Sequence, residues 1–174
     1  NVCAFQLDAL ARFRGVKRRQ EVLVAHPALT VIEDFGHHPT ALAETLRSFR
    51  ARFAGARLTA VFEPRSNTAR TRTMQAGFTR ALAQADEVYL GAVNRAEKLS
   101  AEERFDPAAV RAALAMQGVD TLLADTNPAL LAELEARTLP PRSEQPRVVV
   151  FFSNGSFDGI IGRFAAAAKQ ATAG

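Results

Sequence analysis

Val31-Ile32-Glu33-Asp34-Phe35-Gly36-His37-His38-Pro39-Thr40 reads as a strand that runs into a polar turn and then a helix. Leu29, Val31 and the run to Phe35 are β-branched, apolar or aromatic at most positions, as a strand requires. Pro39 cannot continue a central strand but fits the first turn of a helix. Between the two lie an acid, a glycine and two adjacent imidazoles. In open α/β sheets such turns, at the carboxyl ends of strands, are where ligands bind. A helix start adds unpaired N–H groups and a partial positive charge.

The same pattern repeats outward. Upstream, residues 20–25 form a strand entered from the basic loop Lys17-Arg18-Arg19, and the His26-Pro27 turn makes it a hairpin partner or neighbour of 29–35. Val2 to Phe13 is spaced as the end of a helix that Gly15 closes. Downstream, Leu42, Leu46, Phe49 and Phe53 give a helix over 39–53 one apolar stripe, with Arg47, Arg50 and Arg52 on its solvent side. Residues 57–62 form a strand that ends in Glu63-Pro64-Arg65-Ser66-Asn67-Thr68, with a helix expected over 68–85. A short strand at 87–90 follows, then a polar loop over 94–106 and a helix opened by Asp106-Pro107 that uses Val110, Leu114 and Met116. A brief strand at 121–124 and a helix from Asn127-Pro128 lead to Arg147-Val148-Val149-Val150-Phe151-Phe152, a continuous apolar run of the kind buried on both faces of a sheet. It ends in Ser153-Asn154-Gly155-Ser156-Phe157-Asp158-Gly159, ahead of a last helix. This alternation predicts a Rossmann-like three-layer α/β/α domain with a mostly parallel sheet, and gathers three polar turns on one edge.

The 174 residues suit a single domain with a real core, and 48% hydrophobic content argues against disorder. The chain starts at Asn1, as expected of a piece of a longer polypeptide whose preceding domain or linker ends in the helix of residues 1–14. No apolar run approaches a membrane span, and no signal segment is visible. The single Cys3 excludes an internal disulfide, fits a reducing compartment such as the cytoplasm, and reads as an inert buried thiol. A net charge of +4 with scattered arginines, no basic arm and no RNA-binding aromatic signature favours a basic surface or small anionic ligand over nucleic acid.

Three turns offer chemistry. Asp34 could accept from ribose hydroxyls, hold a cation through water, or cap its helix or turn. His37 and His38 point apart and chelate poorly; they serve either an anionic substrate or the turn. Arg19, with Lys17 and Arg18, could meet phosphate or stand in a solvated loop. Arg65, Ser66 and Asn67 place a planar fork, a hydroxyl and an amide at consecutive positions, a set suited to a carboxylate, with capping as the plainer role. Arg70 and Arg72 read as surface residues. The glycines at 155, 159 and 162 do not make a dinucleotide fingerprint, and no G-x-x-x-x-G-K-[ST] loop occurs.

With these residues in view, Phe13-Arg14-Gly15-Val16-Lys17-Arg18-Arg19-Gln20-Glu21 and Asp34-Phe35-Gly36-His37-His38-Pro39-Thr40 resemble the C-terminal domain of the Mur ligases, ATP-dependent ligases of bacterial peptidoglycan. Glu63-Pro64-Arg65-Ser66-Asn67-Thr68 and Ser153-Asn154-Gly155-Ser156-Phe157 are similar to the murein peptide ligase branch. That branch joins L-alanyl-γ-D-glutamyl-meso-diaminopimelate to UDP-N-acetylmuramate in peptidoglycan recycling. The biosynthetic UDP-N-acetylmuramate–alanine branch usually carries His-Arg-aromatic-Thr-Arg at the first of these segments.

The resemblance implies that Arg19 and Asp34 meet the nucleotide. It implies that Phe35, His37, His38, Arg65, Ser66, Asn67, Asn154, Ser156 and Phe157 face the acceptor. It also implies ATP and Mg²⁺ held mainly outside this chain, by a uridine-nucleotide domain and a central ATPase domain of the same polypeptide, so that this piece alone is inactive. The other reading of the residues is a stand-alone nucleotide- or anion-binding module.

Overall fold

A computed structural model describes residues 16–142 and 144–173. The readings of the segment 1–14 and of Cys3 lie outside the described residues. Six strands, β1 (Glu21–His26), β2 (Leu29–Asp34), β3 (Arg57–Phe62), β4 (Glu87–Leu90), β5 (Asp120–Leu123) and β6 (Arg147–Phe152), form one sheet in the order β1-β2-β6-β3-β4-β5. Only β1 runs antiparallel, as a hairpin with β2. The His26 ring closes that turn, its Nδ1 accepting from the Ala28 N–H at 3.2 Å.

The apolar run of β6 sits between β2 and β3, and its alternation explains the three layers. Val148, Val150 and Phe152 join one core with Leu42, Leu46 and Phe49 of α1 (Pro39–Arg52), Phe78 and Leu82 of α2 (Arg72–Leu82), and Val110 and Leu114 of α3 (Pro107–Ala115). Val149 and Phe151 turn the other way. They meet Leu130, Leu131 and Leu134 of α4 (Asn127–Thr138) and Ile160 and Phe164 of α5 (Ile160–Thr172). Capping follows the sequence signals: Asp106 accepts from the Ala109 N–H at 3.0 Å ahead of Pro107, and Thr126 from the Ala129 N–H at 3.3 Å ahead of Pro128.

Three expectations change. The second long helix begins at Arg72, not 68. Residues 66–71 instead form a separate turn, because Ser66 Oγ accepts from the Ala69 N–H and the chain then bridges to the 103–105 segment, with Thr71 opposite Arg104. The polar loop 94–106 contains a core residue, Phe105, which packs edge-on against Phe62 and Phe78. Met116 lies just past the end of α3 and is 84% exposed, so it does not belong to the stripe.

Register positions the site. Asp34 of β2 and Phe62 of β3 both pair with Phe152 of β6, and Phe62 also pairs with Leu90 of β4. Four parallel neighbours therefore end at one level, and the loops that leave them share a rim.

Candidate functional site

Backbone bonds carry the sheet's register into the loops. Ser153 N donates to Asp34 O (3.2 Å), Glu63 N to Phe152 O (3.1 Å), Gly91 N to Phe62 O (2.9 Å) and Asn94 N to Pro64 O (3.1 Å). The loops after β2, β6, β3 and β4 are thereby fixed side by side.

Asp34 is 6% exposed and turned inward. Its Oδ1 accepts from the Gly36 N–H (2.7 Å) and its Oδ2 from the Gln20 N–H (3.1 Å). The carboxylate thus ties the loop that leads into β1 to the turn after β2, and is not presented to a ligand. A side chain at Gly36 would bring a Cβ 2.7 Å from Asp34 Oδ1, so the glycine is a steric requirement of this turn.

The three cations ahead of β1 do not act alike. Arg18 Nε pairs with Glu33 at 2.7 Å, and its fork donates to the carbonyls of Ser153 (2.9 Å) and Gly155 (2.5 Å). It is a staple, not a phosphate contact. Arg19 is exposed, with its guanidinium 4.9 Å over the Phe35 ring. Phe35 therefore serves as a stacking platform, and His37 meets its edge with ring centroids 5.4 Å apart. His37 Nδ1 lies 3.1 Å from Phe35 O, which leaves Nε2 outward. His38 is the N-cap of α1, its Nδ1 accepting from the Thr40 N–H at 3.3 Å, so turn packing accounts for this imidazole.

Beyond β3 the arrangement is denser. Glu63 is 2% exposed; its carboxylate accepts from Ser153 Oγ (2.5 Å) and pairs with Arg65 (3.3 Å). Burial pushes its carboxyl above the ordinary carboxylate range, against the opposing pull of Ser153 and Arg65. Ser153 Oγ accepts in turn from the Gly155 N–H at 2.9 Å. Arg65 lies so close over Gly155 that a Cβ there would be 1.8 Å from its Nε. Glu63 and Gly155 between them fix where the Arg65 fork sits.

Arg65, Ser66, Asn67 and Asn154 are brought together, lining a concavity of about 270 Å³ that Arg70, Asn94 and Arg95 complete. Sequence reasoning had placed Arg70 on the surface and 94–106 in an ordinary loop. Yet Arg70 Nε is buried and without a partner among the described residues, while its terminal nitrogen donates to Asn67 Oδ1 at 3.1 Å. Asn154 Oδ1 is likewise buried and unpartnered. The remaining two expected residues fall elsewhere. Ser156 lines a separate groove with Arg18, Glu33 and Lys169, and Phe157 is fully buried against Phe151, so its ring anchors the loop without facing the rim.

The family described as "Mur ligase, glutamate ligase domain" matches residues 18–155. The chain belongs to the Mur ligase family. It is 34% identical to the UDP-N-acetylmuramate–L-alanyl-γ-D-glutamyl-meso-2,6-diaminoheptandioate ligase of Escherichia coli K12, over 88% of this chain and 30% of that protein. It is 32% identical to the UDP-N-acetylmuramate–L-alanine ligase of Burkholderia thailandensis, over 94% of this chain and 35% of that protein. Among solved structures, the murein peptide ligase of Psychrobacter arcticus superposes with a TM-score of 0.68 at 26% identity, covering 92% of this chain and 32% of that one. The chain thus spans about a third of the length of the curated Mur ligases it matches. Within the family, the chain corresponds to a Mur ligase C-terminal domain of Rossmann-like α/β architecture.

Proposed function

We propose that this Mur ligase domain holds the acceptor in an ATP-dependent ligase that joins L-alanyl-γ-D-glutamyl-meso-diaminopimelate to UDP-N-acetylmuramate. The observation that carries the reading is the concavity in which Arg65, Ser66, Asn67 and Asn154 converge. A guanidinium fork held by a buried acid, beside two amides and a hydroxyl, suits an acceptor with several carboxylates better than free alanine with one. The alternative, ligation of free L-alanine, draws support from the similarity to the B. thailandensis enzyme.

In this reading ATP, when bound, supplies the phosphoryl group that activates the muramoyl carboxylate. The acceptor amine then attacks the acyl carbon, phosphate leaves, and the amine gives up a proton. This chain's part is placement, since reacting atoms must be held within about 3–3.5 Å. Arg65 holds an acceptor carboxylate, and the exposed His37 offers Nε2 to the acceptor. Arg19, stacked on Phe35, fits a nucleotide phosphate. Asp34 acts on the nucleotide side only by fixing the loop that carries Arg19. Among the described residues no three His, Cys, Asp or Glu side chains gather as a metal site, and in this reading Mg²⁺ is held mainly outside this chain, with no step assigned to it here. The remaining domains of the same polypeptide supply the rest, and the reading places the enzyme in the cytoplasm with UDP-N-acetylmuramate and the murein tripeptide as its partners. The test is turnover by the full-length protein with the tripeptide against free L-alanine. Turnover of the tripeptide is expected; turnover of alanine alone would overturn the assignment.

A further inference from the structure

The opposite edge of the sheet carries a second concavity, of about 200 Å³, where α4 ends, the loop over 140–145 turns and β6 begins. Arg137 of α4, Arg142 of the loop and Arg147 of β6 line it beside Gln145, and no acidic side chain does. Backbone bonds lock these pieces together. Arg147 N donates to Ala28 O (3.1 Å), Gln145 N to Arg142 O (3.3 Å) and Arg57 N to Pro146 O (2.8 Å). Pro140 and Pro141 form a further wall, with fixed φ and no N–H of their own. Along β6, at about 3.3 Å per residue, this concavity lies roughly 15–20 Å from the acceptor rim.

Positive charge is in excess here. Glu87 is shared between Arg147 and Arg57, the latter 3.7 Å away. Arg137 meets Asp120 at 3.3 Å and Glu133 at 3.8 Å, both of them exposed carboxylates. Arg142 has no acid within ion-pair distance among the described residues. Nor does Nη2 of Arg137 or of Arg147 have a hydrogen-bond partner among them, because the acids take Nη1 of both and Nε of Arg137. The carboxyl end of α4 would by itself repel an anion. Its last carbonyls are engaged, however: Leu134 O accepts from the Thr138 hydroxyl (2.6 Å) and Glu135 O from the Leu139 N–H (2.8 Å).

We propose that this concavity is a binding site for a phosphate group, held by Arg137, Arg142 and Arg147. A carboxylate has two oxygens, and a single planar fork saturates it. Three forks from three separate elements suit the three or four oxygens of a phosphate. The space falls below the usual 300–1,000 Å³ of sites that enclose a drug-sized ligand, so it takes the free ion or the phosphate end of a larger molecule. The site stands apart from the peptide-ligase reading, which concerns the other edge of the sheet.

The test is calorimetric titration of inorganic phosphate into the full-length ligase at constant ionic strength, with the ATP site filled by a non-hydrolysable ATP analogue. Phosphate should bind with a Kd of about 1 mM or below. Arg142→Ala is the principal variant, because Arg142 is exposed and its side chain makes no bond on which the fold depends. It should weaken phosphate binding about tenfold, the worth of one charge-assisted hydrogen bond. Arg142→Lys, which keeps the charge and loses the fork, should weaken it less. Acetate should bind at least about tenfold more weakly than phosphate. Glycerol 3-phosphate separates the two sources: tighter binding than phosphate identifies the end of a larger molecule, equal or weaker binding identifies the free ion, and either supports the site. Acetate binding as tight as phosphate would overturn the choice of ligand. Absence of phosphate binding at about 10 mM, or binding that Arg142→Ala leaves unchanged, would overturn the site. So would binding lost in Arg95→Ala in place of Arg142→Ala, since that puts the phosphate at the acceptor rim. Turnover of the tripeptide or of alanine by the wild type bears on the functional reading alone.

Discussion

Both ends of the parallel sheet are rich in arginine, and they use it in opposite ways. At the amino ends of the strands several guanidiniums are matched, while Arg142, beside Arg137 and Arg147, has no acid partner among the described residues. Arg147 of β6 pairs with Glu87 at the start of β4 and donates to Thr59 Oγ1, and Arg57 of β3 lies 3.7 Å from the same carboxylate. Arg50 meets Asp86 at 2.8 Å and Arg137 meets Asp120 at 3.3 Å. At the carboxyl ends, Arg19, Arg70 and Arg95 have no acidic partner among the described residues, and Arg70 Nε and Asn154 Oδ1 are buried without hydrogen bonds. The described non-glycine residues with positive φ, Arg18, Gln20, Arg95, Phe157 and Asp158, all lie in loops at this second end. Each costs on the order of 1–3 kcal/mol of backbone strain. The amino end pairs most of its guanidiniums with acids and holds the fold, although Arg57 Nε is buried there without a hydrogen bond; the carboxyl end pairs Arg18 with Glu33 and Arg65 with Glu63 but keeps Arg19, Arg70 and Arg95 without an acid among the described residues, together with the strained backbone.

The contrast can be broken by mutation. The largest effect is expected at the matched end. Arg147→Ala leaves the buried Glu87 with Arg57, Thr59 and the long 3.4 Å bond from the Tyr89 hydroxyl, and should cost about 3 kcal/mol or more in urea unfolding. Acceptor KM in the full-length enzyme should not change. At the binding end, Gly155→Ala should do the reverse. The new Cβ falls 1.8 Å from Arg65 Nε and displaces the fork, so acceptor KM should rise about tenfold, with a smaller loss of unfolding free energy than Arg147→Ala gives.

A titration sharpens the same comparison. Burial raises the folded-state pKa of Glu63 above its unfolded value, so the folded protein binds that proton more tightly. Its contribution to stability is therefore greatest below the unfolded pKa and declines as pH rises through the folded one. Glu63→Gln should remove this decline from a stability–pH curve, and an unaltered curve would place the group's titration elsewhere. Asp86, at the matched end, has the opposite sign. Burial pushes its carboxyl up, but the hydrogen bonds from Arg50 and the Leu58 N–H, with the charges of Arg50 and Arg57, more than offset this and hold it below its ordinary range. That contribution is present above the unfolded pKa and fades as pH falls through the folded one. Because the pair is more than a third exposed, Asp86→Asn should cost only about 0.5 kcal/mol, less in high salt.

The core was the more legible part of the sequence; the ion pairs at the matched end were not read from it. Val148 to Phe152 reads as a central strand because a continuous apolar run has only one comfortable place in a sheet. Leu42, Leu46 and Phe49 announce a helix by spacing alone. The binding edge was legible in outline, since polar turns after parallel strands must gather, and Arg65, Asn67 and Asn154 do gather. Its detail was not. Arg70 became part of the site because α2 starts four residues later than its apolar spacing suggests, a consequence of the Ser66 turn and the bridge to Arg104. Asn94 and Arg95 joined it through a backbone bond across two loops, which leaves no mark on either segment. Asp34 and His38 carry residue types that suit ligands, and their nearest backbone N–H groups claimed them first.

The central claim, that the carboxyl edge grips the acceptor, is tested most directly by Arg65→Ala in the full-length ligase, with tripeptide KM and ATP KM measured in one assay. A tripeptide KM raised about tenfold or more beside an unchanged ATP KM is the predicted result. An unchanged tripeptide KM would contradict it.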